Sequence, residues 1–98
     1  MKKPPKSDFP HALRTLRKAR GLSQEEFDVV SSRTYVSALE RGVKDPTLGK
    51  VEQLAQAMGV HPLALLSLAF ASKTPAELDR LLAQVRAEIL SLVFEQTA

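Results

Sequence analysis

The sequence predicts an all-α fold, with five helices in one small domain and a longer sixth helix after it. At 98 residues the chain is too short for a second hydrophobic core. Hydrophobic residues make up 44% of the chain and charged residues 26%, which is typical of a folded protein. Aromatic residues are only 5% and Trp is absent, so we expect a core of Leu, Val and Ala, and the common residue types favour helices.

Capping residues and hydrophobic spacing divide residues 9–71 into five helices. Polar residues or prolines mark the predicted starts, and glycines or serines mark the ends. The predicted spans are Phe9 to Arg20, Ser23 to Val30, Ser31 or Ser32 to Arg41, Thr47 to Met58 and Leu63 to Phe70. The last of these is almost wholly apolar, so we expect it to be the buried centre of the domain.

The sixth helix is predicted for residues 74–95, after a capping box that begins at Thr74. At a helical spacing of about 100° per residue its apolar side chains fall on two faces. We expect the broader face to hold a homodimer together, because a monomer this small could not cover both faces. The alternative is that the helix folds back over its own domain. The broader face comprises Leu78, Leu81, Leu82, Val85, Ile89, Leu92 and Val93.

The net charge of +3 is unevenly distributed. Residues 1–50 carry 11 Lys and Arg against 6 Asp and Glu, and residues 51–98 carry 3 against 5, so the halves have net charges of +5 and −2. The first half suits a polyanion such as nucleic acid, although a basic face that only aids solubility has the same charge. No Cys and two distant His disfavour a metal site, and no catalytic grouping or cofactor motif indicates an enzyme. The absence of a signal peptide and of a membrane-length apolar segment favours a cytoplasmic protein.

Five sequence segments occur together between residues 9 and 70. They are Gly21-Leu22-Ser23-Gln24-Glu25-Glu26-Phe27, preceded by Arg17, then Ser32-Arg33-Thr34-Tyr35-Val36-Ser37-Ala38-Leu39-Glu40-Arg41-Gly42, Pro46-Thr47-Leu48, Leu54-Ala55 and Met58-Gly59-Val60. In this combination the sequence resembles the phage-repressor (XRE, or Cro-like) helix-turn-helix family. The resemblance implies a five-helix domain that binds double-stranded DNA. We therefore expect a transcriptional regulator, a dimeric repressor acting on a palindromic, inverted-repeat operator.

The third predicted helix has the pattern that a major-groove helix needs. It is apolar on one side, at Val36 and Leu39, and small or polar on the other. Arg33 is the strongest candidate for a base contact, because a guanidinium can donate to guanine O6 and N7 together. By resemblance, the base-reading positions are Arg33, Thr34, Ser37 and Ala38, the last offering a methyl group to thymine.

Residues at the ends of the helices beside the groove are expected to contact phosphates. Tyr35 either reaches a phosphate or braces its helix. The resemblance implies that Arg17 and Glu40 form an ion pair between the first and third helices, and the alternative is two solvated charges. The candidate phosphate contacts are Gln24, Ser32, Tyr35, Arg41 and Lys44.

The chain departs from the family pattern in the turn of the motif. Between Gln24 and Leu39 it is two residues shorter than the usual spacing, and Val30-Ser31-Ser32 replaces a glycine-containing segment. Asp28 stands where the family prefers a small Ala. We infer that the second helix is shortened by about half a turn and that Asp28 is turned outward or caps locally.

The predicted organisation is a basic arm over residues 1–8, a DNA-binding domain over residues 9–71 and a dimerisation helix over residues 74–95. The arm is expected to be flexible, or alternatively to follow the DNA backbone or minor groove. A rival function is a protein-interaction module, such as an antitoxin or co-regulator, whose working surface is the acidic C-terminal half.

Overall fold

The computed structural model of the chain describes residues 7–29, 32–71 and 73–95, apart from the side chains at positions 28 and 29. Every regular element within these ranges is helical, which confirms the predicted all-α fold. The elements are α1 (Phe9–Ala19), a 3₁₀ helix (Gln24–Val29), α2 (Arg33–Glu40), α3 (Leu48–Met58), α4 (Pro62–Phe70) and α5 (Pro75–Ile89), which continues into a π-helical turn (Leu90–Phe94).

The predicted caps define the helix ends. Ser32, Thr47 and Thr74 each accept a hydrogen bond from the backbone N–H three residues later, at 3.1, 3.2 and 3.1 Å. Such a cap contributes about 1 kcal/mol. At the end of α3, Gly59 has a left-handed φ of 72°, and a Cβ built there would lie 2.8 Å from Arg20 Nη2. The positive φ is the condition that favours glycine, because the Arg20 side chain could shift away from a Cβ.

The second predicted helix is a 3₁₀ helix rather than a shortened α-helix. Its capping box is half formed, since the Ser23 N–H donates to Glu26 Oε1 at 2.9 Å. A 3₁₀ helix rises about 2.0 Å per residue and an α-helix about 1.5 Å, so six residues here span what eight would span in an α-helix. Val30 and Ser31 lie outside the described residues, as do the Asp28 side chain and residues 1–6 of the predicted arm.

The core lies where α1 packs on α4 and α2, and where α3 packs on α4. The Asp8 N–H donates to the Ala69 carbonyl at 2.7 Å, which fixes the start of α1 against the end of α4. The largest fully buried side chains are Phe27, Leu13, Leu39, Leu54, Met58, Leu65 and Val36.

Helix α4 is not the buried centre that its composition predicts. Only Leu65 and Ala69 are buried in it, whereas Leu63 is 61% exposed. The reason is its position at the edge of the domain, where one side packs on α1 and α3 and another faces an open groove. Within the described ranges no single helix is long and apolar enough to cross a membrane, and α3 and α4 pass such a test only as a pair bent by 107°.

Helix α5 extends away from the domain and gives the molecule its elongated dimensions of 51 × 25 × 25 Å. None of its residues is buried. Its start and α4 enclose an apolar groove of about 740 Å³, into which Leu78 and Leu82 project from α5. Along the predicted dimer face Leu78 and Leu81 are half-buried, and the exposed residues are Leu82, Val85, Ile89, Leu92 and Val93.

Candidate nucleic-acid interface

A buried pair of opposite charges joins α1 to the end of α2. Arg17 Nε and Nη2 donate to Glu40 Oε2 and Oε1 at 2.6 and 2.9 Å, a bidentate arrangement. Arg17 Nη1 donates to the Leu22 carbonyl at 2.8 Å. The structure thus brings together the two residues that the family resemblance implied as a pair, and it buries both of them.

The same carboxylate also receives the 3₁₀ helix. Gln24 Nε2 donates to Glu40 Oε1 at 3.0 Å, and Arg14 Nε lies 3.5 Å from that oxygen. Three helical elements therefore meet at one carboxylate, which fixes the angle at which α2 crosses them. Gln24 was predicted to contact a phosphate. The amide nitrogen carries two hydrogens, and only one of them is needed for the contact with Glu40. That contact therefore does not exclude a phosphate contact, which stays a prediction.

Mutual stabilisation keeps both members of the pair charged. Burial alone would raise the pKa of the Glu40 carboxyl, but hydrogen bonds from Arg17 and Gln24, together with the charges of Arg17 and Arg14, outweigh it and lower that pKa. The hydrogen bond to Glu40 raises the pKa of Arg17 against the effect of burial. The link between α1 and α2 is consequently ionic at neutral pH.

Helix α2 is anchored on one side and open on the other. Val36 and Leu39 are fully buried, whereas Arg33 and Thr34, at its start, are exposed. Eight residues at about 1.5 Å each make a helix about 12 Å long. A short helix with an apolar back and polar exposed side chains has the form that a major groove admits.

Arg33 has a partner that the sequence did not predict. Its Nη1 lies 3.3 Å from Glu25 Oε1, and the two side chains are 65% and 66% exposed. Glu25 belongs to the 3₁₀ helix, so the contact crosses the turn of the helix-turn-helix motif. No spacing rule within one helix could have found it, because the two residues lie on different elements.

Ala38 does not lie where the sequence predicted. It is only 5% exposed. The chain after α2 turns back, and the N–H groups of Val43 and Lys44 donate to the Ala38 carbonyl at 2.9 and 3.4 Å. The prediction that Ala38 points outward is wrong, and its buried methyl group is not placed for a base contact.

The other predicted contacts lie at the two ends of α2. Ser32 is exposed and its hydroxyl already caps the helix. At the opposite end the exposed Arg41 donates from Nε to Ser37 Oγ at 3.2 Å, and Ser37 itself is half-buried. Positive side chains therefore lie at both ends of α2, Arg33 at its start and Arg41 after its end.

Tyr35 lies between two lysines beside α2. Lys44 Nζ is 5.7 Å and Lys50 Nζ is 5.6 Å from the centre of its ring, within the range of cation–π attraction. Lys44 was predicted as a phosphate contact. Lys50, in the first turn of α3, was missed because it is distant from Tyr35 in the sequence. The half-buried ring braces a small cationic cluster next to α2.

Comparison with known proteins agrees with this arrangement. A family model described as Helix-turn-helix matches residues 13–65, more than half of the chain. The chain belongs to this family, and the class that its fold and exposed α2 define is the helix-turn-helix transcriptional regulator.

The chain is similar to three proteins, and each of them is matched over most of its length. The chain is 44% identical over 54 residues to an uncharacterized HTH-type transcriptional regulator, y4dJ, of Sinorhizobium fredii, covering 53% of this chain and 70% of that one. It is 36% identical over 61 residues to the control protein C.BamHI of Bacillus amyloliquefaciens, covering 59% and 75%. The crystal structure of a hypothetical transcription factor, NHTF, from Neisseria is similar with a TM-score of 0.61 and 32% identity, covering 80% of this chain and 85% of that one.

Proposed function

We propose that the protein is a dimeric transcriptional repressor that acts in the cytoplasm and binds an inverted-repeat operator through α2. The observation that carries the proposal is the exposure of Arg33 and Thr34 on a helix whose other side is fixed by the buried pair of Arg17 and Glu40. In a dimer two such helices enter successive major grooves with half-site centres about 34 Å apart. Occupation of a promoter then blocks transcription without a catalytic step or a cofactor.

The exposed residues divide into base contacts and phosphate contacts. Arg33 takes guanine O6 and N7, with Thr34 and Ser37 beside it. Positive side chains neutralise phosphates and set the register of α2 on the duplex without reading sequence. The proposed phosphate contacts are Gln24, Ser32, Tyr35, Arg41, Lys44 and Lys50.

The dimer is assigned to the apolar face of α5. Exposed fractions along this face are 49% at Leu82, 46% at Ile89 and 65% at Leu92. A contiguous run of exposed apolar side chains is typical of a protein–protein interaction site. The helix and its π turn are about 30 Å long, so Leu92 cannot fold back over the groove at the start of its own helix. An antiparallel second copy would place its Leu92 there, and a two-fold axis would repeat the contact.

The test is a fluorescence titration of random-sequence and genomic duplexes at several salt concentrations. DNA binding predicts that log K falls linearly with log salt, by about 0.9 for each phosphate contact. It also predicts that some genomic fragments bind more tightly than random duplexes at the same salt. Saturable binding without a salt slope and without sequence preference would contradict the proposal.

A second candidate function is favoured by the groove between α4 and α5. Together with the exposed face of α5 it forms an apolar surface that another protein could cover, as in an antitoxin or co-regulator. In that case the α5 surface carries the function and α2 does not. The two functions are distinguished by repeating this titration with Arg33→Ala, because only DNA binding through α2 makes affinity depend on Arg33.

A further inference from the structure

We infer that Glu25 is a positioning residue for sequence recognition, which holds the Arg33 guanidinium by one corner and presents its other edge to guanine. This inference rests on the proposed function, in which α2 reads base edges. Arg33 Nη1 lies 3.3 Å from Glu25 Oε1, and about two-thirds of each side chain is exposed, at 65% and 66%. The contact therefore lies on the open surface of the motif, beside the exposed start of α2.

Both residues are held in place by their neighbours. Glu25 follows Gln24, whose amide donates at 3.0 Å to the buried carboxylate, and it precedes the fully buried Phe27 in the same 3₁₀ helix. Arg33 is the first residue of α2, where Ser32 caps the helix. The backbones that carry the two side chains are thus held by the 3₁₀ helix and by the capped start of α2.

Glu25 lies next to Nη1 of the Arg33 guanidinium, whereas the edge that can donate two parallel hydrogen bonds is formed by Nε and Nη2. Arg17 shows the same division within the core, with Nη1 on the Leu22 carbonyl at 2.8 Å, and Nε and Nη2 on the two Glu40 oxygens at 2.6 and 2.9 Å. In Arg33 the ion pair with Glu25 is made at Nη1, and we assign the edge formed by Nε and Nη2 to a ligand. Guanine O6 and N7 form a pair of acceptors that matches this edge.

The carboxylate has opposite effects on affinity and on specificity. Its negative charge repels phosphates and weakens binding to every duplex. Its hold on Arg33 reduces the side-chain freedom lost on binding, and it favours the one base that fits the fixed edge. Removal of Glu25 is therefore expected to increase affinity for random DNA and to weaken the guanine preference. The weakening corresponds to one exposed ion pair, about twofold to fivefold.

The experiment selects duplexes from a random-sequence library with wild-type protein, with Glu25→Ala and with Glu26→Gln. Glu26→Gln is the matched control, because it removes one carboxylate from the same 3₁₀ helix while its amide oxygen can still accept the Ser23 N–H. We expect the wild type and the control to prefer guanine at one position of each half-site. In Glu25→Ala this preference falls about twofold to fivefold at that position alone, with an unchanged melting temperature.

A double variant separates positioning from a general charge effect. When Arg33→Ala is already present, Glu25→Ala is expected to alter affinity for all duplexes equally and to leave base preference unchanged. The inference is overturned if Glu25→Ala keeps the full wild-type preference, or weakens it equally at every position. If the wild type itself selects no sequence, the proposed function fails and this inference with it. A wild type that selects a site that Arg33→Ala alters and Glu25→Ala does not would defeat only the role of Glu25.

Discussion

Arg17 of α1 and Glu40 at the end of α2 form a bidentate ion pair in the interior of the domain, with N–O distances of 2.6 and 2.9 Å. The carboxylate side chain is fully buried and the arginine side chain is 10% exposed. A pair this deep repays its desolvation only when both partners are present, so its main effect is to fix geometry. Here it fixes the helix that carries the proposed base contacts.

Replacement of one partner by an uncharged residue of the same shape is expected to be costly. Glu40→Gln leaves the Arg17 cation buried without a counter-charge, and we expect the free energy of unfolding in urea to fall by about 3 to 5 kcal/mol. Glu52→Gln, on the exposed side of α3, is the control and should change stability by less than about 0.5 kcal/mol. Equal effects of the two substitutions would show that the pair does not act as described.

The same pair predicts a dependence of stability on pH. The pKa of Glu40 is lowered on folding, so the unfolded state binds more protons at acid pH. The stabilisation is complete above the ordinary carboxyl pKa of 4.5, and it is lost as the pH falls through the lower value of the folded state. Unfolding curves measured across this range should show the wild type losing stability relative to Glu40→Gln. Parallel curves would contradict the lowered pKa.

Two glycines of one helix predict opposite responses to alanine. Gly59 ends α3 with a φ of 72°, so Gly59→Ala is expected to reduce stability by about 1 to 2 kcal/mol. Gly49 lies in the first turn, and a Cβ built there would meet no atom within 4 Å beyond its chain neighbours and the backbone of its own helix. Gly49→Ala is therefore expected to stabilise by about 0.5 to 1 kcal/mol. Thermal unfolding of both variants measures the two effects. Melting temperatures that shift in the same direction would contradict the assigned backbone conformations.

The assigned dimer face predicts the response of the oligomeric state to a charge. Leu82 is 49% exposed on the apolar face of α5. Leu82→Glu would place a carboxylate in the two-fold contact, and sedimentation is expected to show a dimer for the wild type and a monomer for the variant. Gln84→Glu adds the same charge on the polar face and should stay dimeric. If Leu82→Glu has the same mass as a dimeric wild type, the dimer interface does not lie on this face of α5.

Local signals predicted the helices, and contacts across elements account for what they missed. Ser32 and Thr47 define helix starts because a cap acts within its own turn. By contrast, the 3₁₀ winding between Gln24 and Val29 was not predicted, because a capping box marks the start of a helix and does not distinguish a 3₁₀ helix from an α-helix. Burial of Ala38 likewise belongs to the packed domain, which helical periodicity does not contain.

The contacts at the candidate site also divide into one that the sequence implied and others that only the packing of the domain shows. The pairing of Arg17 with Glu40 was implied by the family resemblance, and the structure brings the two together. The contact of Arg33 with Glu25 and that of Tyr35 with Lys50 join elements that are separate in the sequence. Only the packing of the motif places these side chains side by side, so no single-helix pattern could predict them.

The central claim is that α2 reads sequence through Arg33, and paired titrations of two variants test it most directly. Binding of Arg33→Ala and Lys44→Ala is measured on a selected duplex and on its single-base variants. We expect Arg33→Ala to cost about 1 to 3 kcal/mol and to relax the preference at one base pair. Lys44→Ala is expected to weaken all duplexes alike and to reduce the salt slope by about 0.9. Equal losses for both variants on every duplex would contradict the claim.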